Sequence, residues 1–374
     1  MKKHFTSIKV GILGGGQLAR MMILSGHKLG VEMHVLSKDP TDPAAQVTRH
    51  WHKGDPNDSK SLTEFFKHVD NVTFESEFLD ADKVSDASRN TSTPVQPLPK
   101  IMGALQDRHT QKLTLVKYGL PTSSFTVVSS SEEAAQAWPQ FTTGMVLKQR
   151  RFGYDGYGTI IIKRPEDIQI YSAAIDKCPY GYVAEAFVPF KRELAISLAR
   201  NKSGEVSVFP LVESLQVNAR CFWVKGPVKN SRLKTLLGPA KKMLHGLNYQ
   251  GVLTIELFDT GSRLLVNELA PRVHNSAHYS QDALDEDQFT AHLKGILNAT
   301  LKSPKPKTGG FAMVNLLGTS EKAPVWHGLN NGFVHWYGKT QNRPGRKMGH
   351  VNVVENTANA ALKKALKLAK EFKL

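Results

Sequence analysis

The chain has 374 residues, of which 40% are hydrophobic and 22% charged, so two or three domains with ordinary buried cores are expected. Its net charge of +16 comes mostly from scattered basic residues without interleaved aromatics, which disfavours a nucleic-acid-binding protein and leaves acidic surfaces or anionic small molecules as partners. No run approaches the ~20 apolar residues of a membrane span, and no signal peptide precedes the first strand, so we expect a cytoplasmic protein that binds no membrane and no specific nucleic acid.

A glycine-rich turn lies near the start of the chain. Residues 8–13 predict a buried strand, residues 21–29 a helix and residues 32–36 a second strand, which is the order of a Rossmann-like domain. The intervening residues 14–17 read Gly-Gly-Gly-Gln and would let a helix N-terminus approach an anion or a polar ligand. The later glycine of a dinucleotide fingerprint is missing. A proline-rich stretch over residues 94–99 marks a boundary.

A second glycine-rich segment joins two predicted strands in the middle of the chain. Residues 101–112 predict a single helix, and the strand 145–148 ends in a lysine. The basic loop 149–158 follows and leads into the strand 159–163, unlike the strand–loop–helix order of a Walker A site. We expect a mobile flap whose backbone N–H groups cover phosphates, with Lys148 bonding them from beneath. A flexible hairpin loop is the alternative.

A predicted β-hairpin between residues 252 and 268 carries two carboxylates. If Phe258 pairs with Leu264, Glu256 and Glu268 point to the same face of the sheet. They would repel each other unless a cation lay between them, and Mg²⁺, with Mn²⁺ as a substitute, suits hard oxygen ligands shared with a nucleotide. Two exposed surface glutamates are the alternative interpretation.

The run 267–278 begins at the end of this hairpin and continues beyond it. It holds a carboxylate, an amide, an arginine and two imidazoles. A linker-like stretch follows at residues 303–310, and small strands with turns are expected beyond it. Residues 360–374 predict an amphipathic helix. Such a helix could touch a membrane or RNA, but we favour one that closes a domain with its apolar stripe.

These motifs together resemble the ATP-grasp superfamily and, more narrowly, the N5-carboxyaminoimidazole ribonucleotide synthetase family of purine biosynthesis. The segments that carry the resemblance run nearly end to end and are residues 14–22, 42–47, 106–108, 150–156, 188–193, 267–278, 315–318, 337–339 and 343–350. Residues 270–276 and 343–350 are specific to this family within the superfamily. The second of these disfavours two rivals, a formate-using purine enzyme and a biotin carboxylase.

The resemblance implies an α/β architecture with three domains. These are a Rossmann-like domain over residues 1–100, an ATP-grasp domain with a mobile flap subdomain over 101–302 and a small C-terminal domain over 303–374. It also implies a homodimer. The implied reaction joins 5-aminoimidazole ribonucleotide and bicarbonate at the expense of ATP, through carboxyphosphate, and yields N5-carboxyaminoimidazole ribonucleotide, ADP and phosphate. We expect no fused mutase domain after residue 374, so the next step would need another protein.

The resemblance also implies roles for individual residues. Glu256 and Glu268 would hold the metal, Arg272 would steady bicarbonate and carboxyphosphate, and Lys148 would act with it in catalysis. The nucleotide would be bound by Arg108, Lys148, Gly153, Tyr154, Asp155, Gly156, Gly158, Glu185, Ala186, Phe187, Val188, Glu193, Gln216, Asn267 and Glu268. The ribonucleotide and bicarbonate would be bound by Gln17, Leu18, Glu77, Tyr154, Asp155, Arg272, His274, Asn275, Lys339 and Arg346.

The chain departs from the usual family pattern at several positions. Residues 74–78 read Phe-Glu-Ser-Glu-Phe where Tyr-Glu-Phe-Glu-Asn is common. Gln216 stands where relatives have a nucleotide-contacting histidine; it can donate a hydrogen bond but cannot carry charge. Phe152 and Ala277 each replace a glycine. A pseudoenzyme is therefore an alternative, but the retained metal carboxylates and Lys148 favour an active enzyme.

Overall fold

The N-terminal part of the computed structural model, which describes residues 7–153, 156–321 and 332–372, is a parallel sheet covered by helices. Its strands, in the spatial order β3-β2-β1-β4, are β1 (Lys9–Leu13), β2 (Glu32–Ser37), β3 (His50–Lys53) and β4 (Asn71–Phe74). Its helices are α1 (Gln17–Lys28), α2 (Ser59–Phe66) and α3 (Ala81–Thr91), with a 3₁₀ turn at Ala45–Val47. The predicted Rossmann-like order is confirmed, although α1 begins one turn earlier than predicted because its first N–H groups find an acceptor described below.

The helix predicted over residues 101–112 is in fact two helices. They are α4 (Pro99–Gln106) and α5 (Arg108–Lys117), and they meet at Asp107, whose backbone is extended with ψ 117°. The Asp107 carboxylate accepts the N–H groups of His109 and Thr110 and so caps α5. The prediction was wrong because no proline or glycine near residue 107 indicates a break in the helix. The break places Arg108 at the start of α5.

An antiparallel four-stranded sheet forms the flap subdomain. Its strands, in the spatial order β5-β8-β6-β7, are β5 (Phe125–Val128), β6 (Met145–Gln149), β7 (Thr159–Ile162) and β8 (Tyr182–Ala186). Two helices, α6 (Ser131–Ala137) and α7 (Glu166–Asp176), pack against it, and a 3₁₀ turn covers Trp138–Gln140. The glycine-rich segment joins β6 to β7, as predicted.

A nine-stranded sheet spans the rest of the chain. Its strands are β9 (Arg192–Arg200), β10 (Val206–Val208), β11 (Val212–Val217), β12 (Arg220–Gly226), β13 (Gly251–Asp259), β14 (Leu264–Ala270), β15 (Gly310–Leu317), β16 (Phe333–Trp336) and β17 (Lys347–Glu355). The spatial order is β14-β13-β9-β11-β12-β15-β17-β16, with β10 beside β9. Because β12 pairs with β15, the central and C-terminal regions share one sheet. The predicted domain boundaries at 100/101 and 302/303 stay predictions.

Four helical segments accompany this sheet: α8 (Leu233–Gly246), α9 (Ser280–Ala283), α10 (Gln288–Ile296) and α11 (Ala358–Ala369), with a 3₁₀ turn at Asn275–Ala277. Helix α11 buries Ala361, Ala365 and Leu368 in a core with β15 and β17, so it closes the C-terminal region with its apolar stripe. None of the helices in the described part of the chain is long and apolar enough to cross a membrane.

The N-terminal sheet is fixed to the large sheet through α1 and α10. Met22 and Ile23 of α1 share a buried core with Phe289 and Leu293 of α10. A buried polar contact reinforces this packing, since Thr73 Oγ1 lies 2.8 Å from His292 Nε2. The carboxyl ends of the N-terminal strands therefore face the segment that follows β14, where the predicted site residues converge.

Candidate active site

Glu256 and Glu268 lie directly opposite each other on β13 and β14. The predicted pairing of Phe258 with Leu264 was wrong by one residue, because Phe258 pairs with Leu265. The ladder then shifts register between Glu256 and the next residue of β13, and this bulge brings the two carboxylates opposite each other. The prediction that they share one face is confirmed, but by a register that alternation alone does not give.

The bulge turns two consecutive side chains of β14 toward the flap strand and α5. Asn267 Oδ1 accepts a hydrogen bond of 2.7 Å from Lys148 Nζ. Its neighbour Glu268 forms an ion pair with the Arg108 guanidinium. An extra residue in one strand re-aims side chains in this way, and here it lets an amide and a carboxylate serve the same cleft.

The two opposed carboxylates have opposite pKa shifts. Burial, together with the charges of Glu268 and Glu193, raises the pKa of Glu256 well above its usual range. Burial would also raise the pKa of Glu268, but the Arg108 charge outweighs it and holds that pKa low. Among the described residues, His274 Nε2 lies 3.6 Å from a Glu256 carboxylate oxygen. Burial followed by the Arg272 charge lowers the pKa of His274 to about 3, so this imidazole is neutral and the carboxylate pair is well suited to a metal cation.

Glu193 adds a third carboxylate to the same cleft. It lies on β9, and the backbone N–H of Gln216 donates a hydrogen bond to it. Burial raises its pKa, and the charge of Glu268 adds to the effect. Gln216 follows a register shift between β11 and β12, so the backbone at this departure from the family pattern still contacts the site.

A buried carboxylate holds Lys148 in place. Glu185 lies 3.3 Å from Lys148 Nζ and 2.7 Å from Lys112 Nζ, and it accepts a hydrogen bond of 2.8 Å from Ser123 Oγ. Burial would raise the pKa of Glu185, but the two lysine charges hold it well below its usual range. Sequence reasoning predicted Glu185 as a nucleotide ligand and missed Lys112, whose helical context resembles that of an ordinary surface lysine.

The flap begins directly above this group. Arg108 Nη2 donates a hydrogen bond of 3.4 Å to the Gly153 carbonyl, so one guanidinium bridges Glu268 and the flap base. Gly156 and Gly158 have φ values of +83° and +76°, which non-glycine residues rarely adopt. The backbone of the predicted phosphate-covering loop thus depends on glycine at both positions.

Phe152, which replaces a family glycine, keeps a left-handed backbone with φ 63°. Its ring packs 5.4 Å from the Tyr180 ring and 6.2 Å from the Phe78 ring. Phe78 was identified from the sequence as a departure from the family pattern too, and the two rings contact each other across the flap base. The predicted ligands Tyr154 and Asp155 lie outside the described residues.

Three of the predicted nucleotide-binding residues lie at the end of β8. Ala186 is its last residue, and Phe187 and Val188 follow. The Phe187 N–H donates to the Gly144 carbonyl at 2.9 Å, and its own carbonyl accepts from Thr143 Oγ1 at 2.6 Å. These bonds fix the connection beyond Glu185, and its contact with adenosine stays a prediction.

The first glycine turn already holds an anion from the protein itself. The N–H groups of Gly16 and Ala19 donate to the Glu75 carboxylate, the second at 3.1 Å. A Cβ on Gly16 would lie 2.6 Å from a Glu75 oxygen, so glycine is required by this close approach. Glu75 was not predicted as a site residue, although it lies in the segment 74–78 that departs from the family pattern. Gln17 and the partly buried Leu18 form the first turn of α1 beside it.

Arg272 and Lys339, from distant parts of the chain, both act electrostatically on the carboxylate at this turn. Arg272 makes a forked ion pair with Glu77, with Nη2 3.1 Å from Oε1. Burial raises the pKa of Glu75, and the charges of Arg272 and Lys339 oppose that shift, so both cations lie near it. Three of the predicted substrate ligands therefore converge where the N-terminal sheet ends.

The connection between β16 and β17 brings the basic C-terminal motif to the N-terminal domain. Gln46 Nε2 donates a hydrogen bond of 2.7 Å to the Gly338 carbonyl, next to Lys339. Arg346 lies in the same connection, where its Nη1 donates to the Gln341 carbonyl at 2.8 Å. Its contact with a substrate phosphate stays a prediction.

The side-chain amides of Gln288 and Asn315, which were not predicted as site residues, hold the segment after β14 in place. Gln288 brackets His274 by accepting its N–H at 2.8 Å and donating to its carbonyl at 2.9 Å. Asn275 and Asn315 exchange a reciprocal pair of side-chain hydrogen bonds of 3.0 and 2.7 Å. His274 Nδ1 accepts from the backbone of Ser276, which leaves Nε2 facing Glu256. Gln288 is fully buried, and its position in the sequence gives no signal of this role.

Comparison with known families assigns each region of the chain. Residues 7–106 match the ribonucleotide synthetase preATP-grasp domain, residues 113–289 match the ATP-grasp domain, and residues 312–364 match the phosphoribosylaminoimidazole carboxylase C-terminal domain. The ATP-grasp fold and the two flanking regions that the resemblance implied are confirmed.

Full-length similarity supports the same assignment. The chain is 34% identical to the N5-carboxyaminoimidazole ribonucleotide synthase of Synechococcus elongatus, over 92% of this chain and 89% of that one. It superposes with a TM-score of 0.88 and 28% identity on the Staphylococcus aureus N5-carboxyaminoimidazole synthetase complexed with ADP, over 99% of both chains. The Aspergillus clavatus synthase in complex with ADP and 5-aminoimidazole ribonucleotide superposes with a TM-score of 0.85 and 26% identity, over 98% of this chain and 100% of that one. The chain therefore belongs to the N5-carboxyaminoimidazole ribonucleotide synthase family of ATP-grasp ligases.

Proposed function

We propose that the protein catalyses the ATP-dependent carboxylation of 5-aminoimidazole ribonucleotide by bicarbonate in purine biosynthesis. The observation that carries this proposal is the opposed pair Glu256 and Glu268 beside Lys148 and Arg108, beneath the glycine-rich flap. This arrangement suits a metal-bound triphosphate, because carboxylates hold the metal while cations neutralise phosphate oxygens. The solved structures of relatives with ADP and with 5-aminoimidazole ribonucleotide support the same substrates.

The donor set fits Mg²⁺. Glu256 and Glu268 are hard oxygen donors on adjacent strands, and the raised pKa of Glu256 reports a buried carboxylate that a cation would stabilise. Mn²⁺ fits the same donors. Bound there, the metal would neutralise phosphate charge during transfer. Glu268 would then share its charge with the metal, and Arg108 would be able to exchange its bond to Glu268 for phosphate oxygens while Lys148 stays fixed by Glu185.

The remaining residues suit the two bond-forming steps. A bicarbonate oxygen attacks the γ-phosphorus of ATP, ADP leaves, and carboxyphosphate forms. The exocyclic amine of the ribonucleotide then attacks the carbon, the carbon–oxygen bond to phosphate breaks, and the amine loses a proton. Arg272 would hold bicarbonate and the developing negative charge, with Glu77 fixing its guanidinium plane. The flap would exclude water, which hydrolyses carboxyphosphate.

The ribonucleotide would lie between the N-terminal glycine turn and the C-terminal basic motif. Lys339 lies near Glu75, and Arg346 lies in the same connection, so both would neutralise the ribonucleotide's own phosphate. Gln17, His274 and Asn275 would surround the ring and the ribose. We also propose a homodimer, as the resemblance implies, and a cytoplasmic location, as expected from the sequence.

The function is tested by phosphate release from ATP with the purified protein. We expect turnover only when 5-aminoimidazole ribonucleotide and bicarbonate are both supplied together with Mg²⁺, because carboxyphosphate is consumed only by the amine. The product is identified by incorporation of labelled bicarbonate. Equal phosphate release without the ribonucleotide would point to a different acceptor.

The metal assignment is tested by Glu268→Gln. Loss of one anionic oxygen ligand should lower kcat by roughly a hundredfold or more, since metal-assisted charge stabilisation is worth several kcal/mol. Glu166→Gln, an exposed glutamate on α7, is the matched control and should keep full activity. Thermal unfolding checks that both variants are folded. A folded Glu268→Gln protein with normal turnover would remove the assignment.

A further inference from the structure

A cluster of imidazoles lies at the outer edge of the N-terminal sheet, away from the active site. Strand β3 is the edge strand, and its parallel pairing with β2 sets His34 opposite His50. Because side chains alternate along a strand, Glu32 and His34 of β2 share one face with His50 and His52 of β3. The active-site carboxylates Glu75 and Glu77, which hold the glycine turn and Arg272, follow β4 at the opposite edge of the same sheet. We name these four residues, Glu32, His34, His50 and His52, the edge cluster.

Three donor atoms of the edge cluster converge. Glu32 Oε1 lies 2.8 Å from His34 Nε2 and 4.0 Å from His50 Nε2, and the three atoms all lie within 4.8 Å of one another. Two imidazole nitrogens and one carboxylate oxygen form a donor set typical of a first-row transition metal rather than Mg²⁺. We propose that the edge cluster is a second, independent metal site that binds Zn²⁺ through Glu32, His34 and His50.

The distances are close to those that Zn²⁺ requires. Ligands at ~2.0–2.1 Å from a tetrahedral zinc lie roughly 3.3 Å apart. The Glu32–His34 separation must open slightly, and the His50 separations, of 4.0 Å to Glu32 and at most 4.8 Å to His34, must close by roughly 0.7 to 1.5 Å. The Glu32 and His50 side chains are 29% and 30% exposed, so they have room to move and give the ion a path from solvent. A water molecule would complete the coordination.

His52 supplies the outer contact that metal-binding histidines need. Its Nε2 lies 3.0 Å from His34 Nδ1, on the side of the ring away from Glu32. With the metal on His34 Nε2, the Nδ1–H group donates to His52, which fixes the tautomer and the ring orientation. His52 is itself held between the rings of Phe65 and His68, at 5.1 Å from each. His34 is 5% exposed and held by Glu32 and His52, so little side-chain freedom would be lost on binding.

The proposal is tested by zinc uptake into the tag-free, full-length protein. Equilibrium dialysis with metal analysis is done in saturating Mg²⁺ and ADP, so that the active-site carboxylates are occupied. We expect one equivalent of Zn²⁺ in the unaltered protein and in His27→Ala, an exposed histidine of α1 that serves as control. His50→Ala should lose that equivalent, and its carboxylation activity should be unchanged. No zinc in the unaltered protein, or equal uptake by His50→Ala, would overturn the proposal.

A second measurement reports the coordination directly. Co²⁺ in place of Zn²⁺ should give the visible absorption of a four-coordinate site in the unaltered protein and in His27→Ala, and none in His50→Ala. His52→Gln should weaken zinc binding roughly tenfold to a hundredfold, as loss of an outer hydrogen-bond partner does elsewhere. An octahedral Co²⁺ spectrum that is the same in His50→Ala would assign the ion to scattered surface groups and overturn the proposal.

Discussion

Lys112 shows how one buried residue positions another that acts in the site. It is 2% exposed, and burial lowers its pKa to about 8, yet its ammonium group lies 2.7 Å from Glu185. Glu185 then holds Lys148, which donates to Asn267 of the carboxylate hairpin. A buried ion pair with extra hydrogen bonds costs desolvation but fixes geometry. Lys148 is thus kept in place before any phosphate arrives.

Variants of Phe152 test the left-handed backbone conformation at the base of the flap. Phe152→Gly and Phe152→Ala remove the same ring contacts with Tyr180 and Phe78 but differ in the backbone at φ 63°. Only alanine keeps a Cβ in the left-handed region, so we expect Phe152→Gly to be more stable by about 1 kcal/mol in urea unfolding.

A control pair of variants within a helix should show the opposite order of stability. Gln169 is an exposed residue inside α7, where alanine is favoured over glycine. Gln169→Ala should therefore be more stable than Gln169→Gly by about 1 kcal/mol. Greater stability of Phe152→Ala than of Phe152→Gly would contradict the left-handed backbone at position 152.

At the scale of elements, the break between α4 and α5 joins the site to the flap. Asp107 caps α5 with one carboxylate, and the same carboxylate accepts hydrogen bonds of 2.7 and 3.2 Å from Arg150 at the start of the flap. The Arg108 N–H also donates to the Arg150 carbonyl at 2.9 Å. The start of α5 and the base of the flap are therefore one hydrogen-bonded unit.

Two variants of Asp107 separate these roles. Asp107→Asn keeps a good helix cap but loses the charge that pairs with Arg150, whereas Asp107→Ala loses both. We expect Asp107→Ala to be less stable than Asp107→Asn by about 1 kcal/mol in urea unfolding, which is the usual value of a cap. Both should raise KM for ATP. Equal stabilities would show that the cap contributes nothing at this position.

The hairpin shows what sequence patterns predict and what they leave out. Alternation from an assumed Phe258–Leu264 pairing predicted the shared face of Glu256 and Glu268, but the prediction held only because the bulge offsets the one-residue error in that pairing. It could not predict the bulge at β14, since a one-residue insertion leaves no mark in composition. The single helix predicted across Asp107 failed for a related reason: an aspartate is equally at home on a helix surface and at a cap.

At the scale of the whole molecule, three distant segments meet at one cleft. The glycine turn, the flap lysine and the carboxylate hairpin were predicted from local patterns and from resemblance. Glu75, Lys112 and Gln288 were not, because each acts through a tertiary contact that no local pattern records. Resemblance likewise supplied the domain order, which periodicity alone would have left open.

The joint between the N-terminal and central regions predicts a pH dependence. His292 Nδ1 accepts the Val252 N–H at 3.1 Å, and Nε2 lies 2.8 Å from Thr73 Oγ1. Burial lowers its pKa from 6.5 to about 4. Because the folded pKa is the lower one, its stabilisation is complete above about pH 6.5. As the pH falls toward 4, stability is lost by about 1.4 kcal/mol per unit.

His292→Gln tests this joint, since glutamine keeps one donor and one acceptor but does not titrate. Between about pH 7 and about pH 5, its free energy of unfolding in urea should fall less steeply with pH than that of the unaltered protein. The difference in slope should reach at most the value for one proton, about 1.4 kcal/mol per pH unit. The other buried histidines titrate in both proteins and cancel in the difference. Parallel pH profiles would show that His292 is not held neutral.

The pairing of β12 with β15 lets the C-terminal region, from residue 310 onward, cover the edge of the catalytic sheet. A protein cut in the stretch before β15 would lose four paired positions, from Trp223 to Gly226, along with the helix that covers them. Backbone groups bared in this way recruit strands from other molecules. A fragment that lacks the C-terminal region would therefore self-associate. The C-terminal region thus prevents aggregation in addition to supplying Lys339.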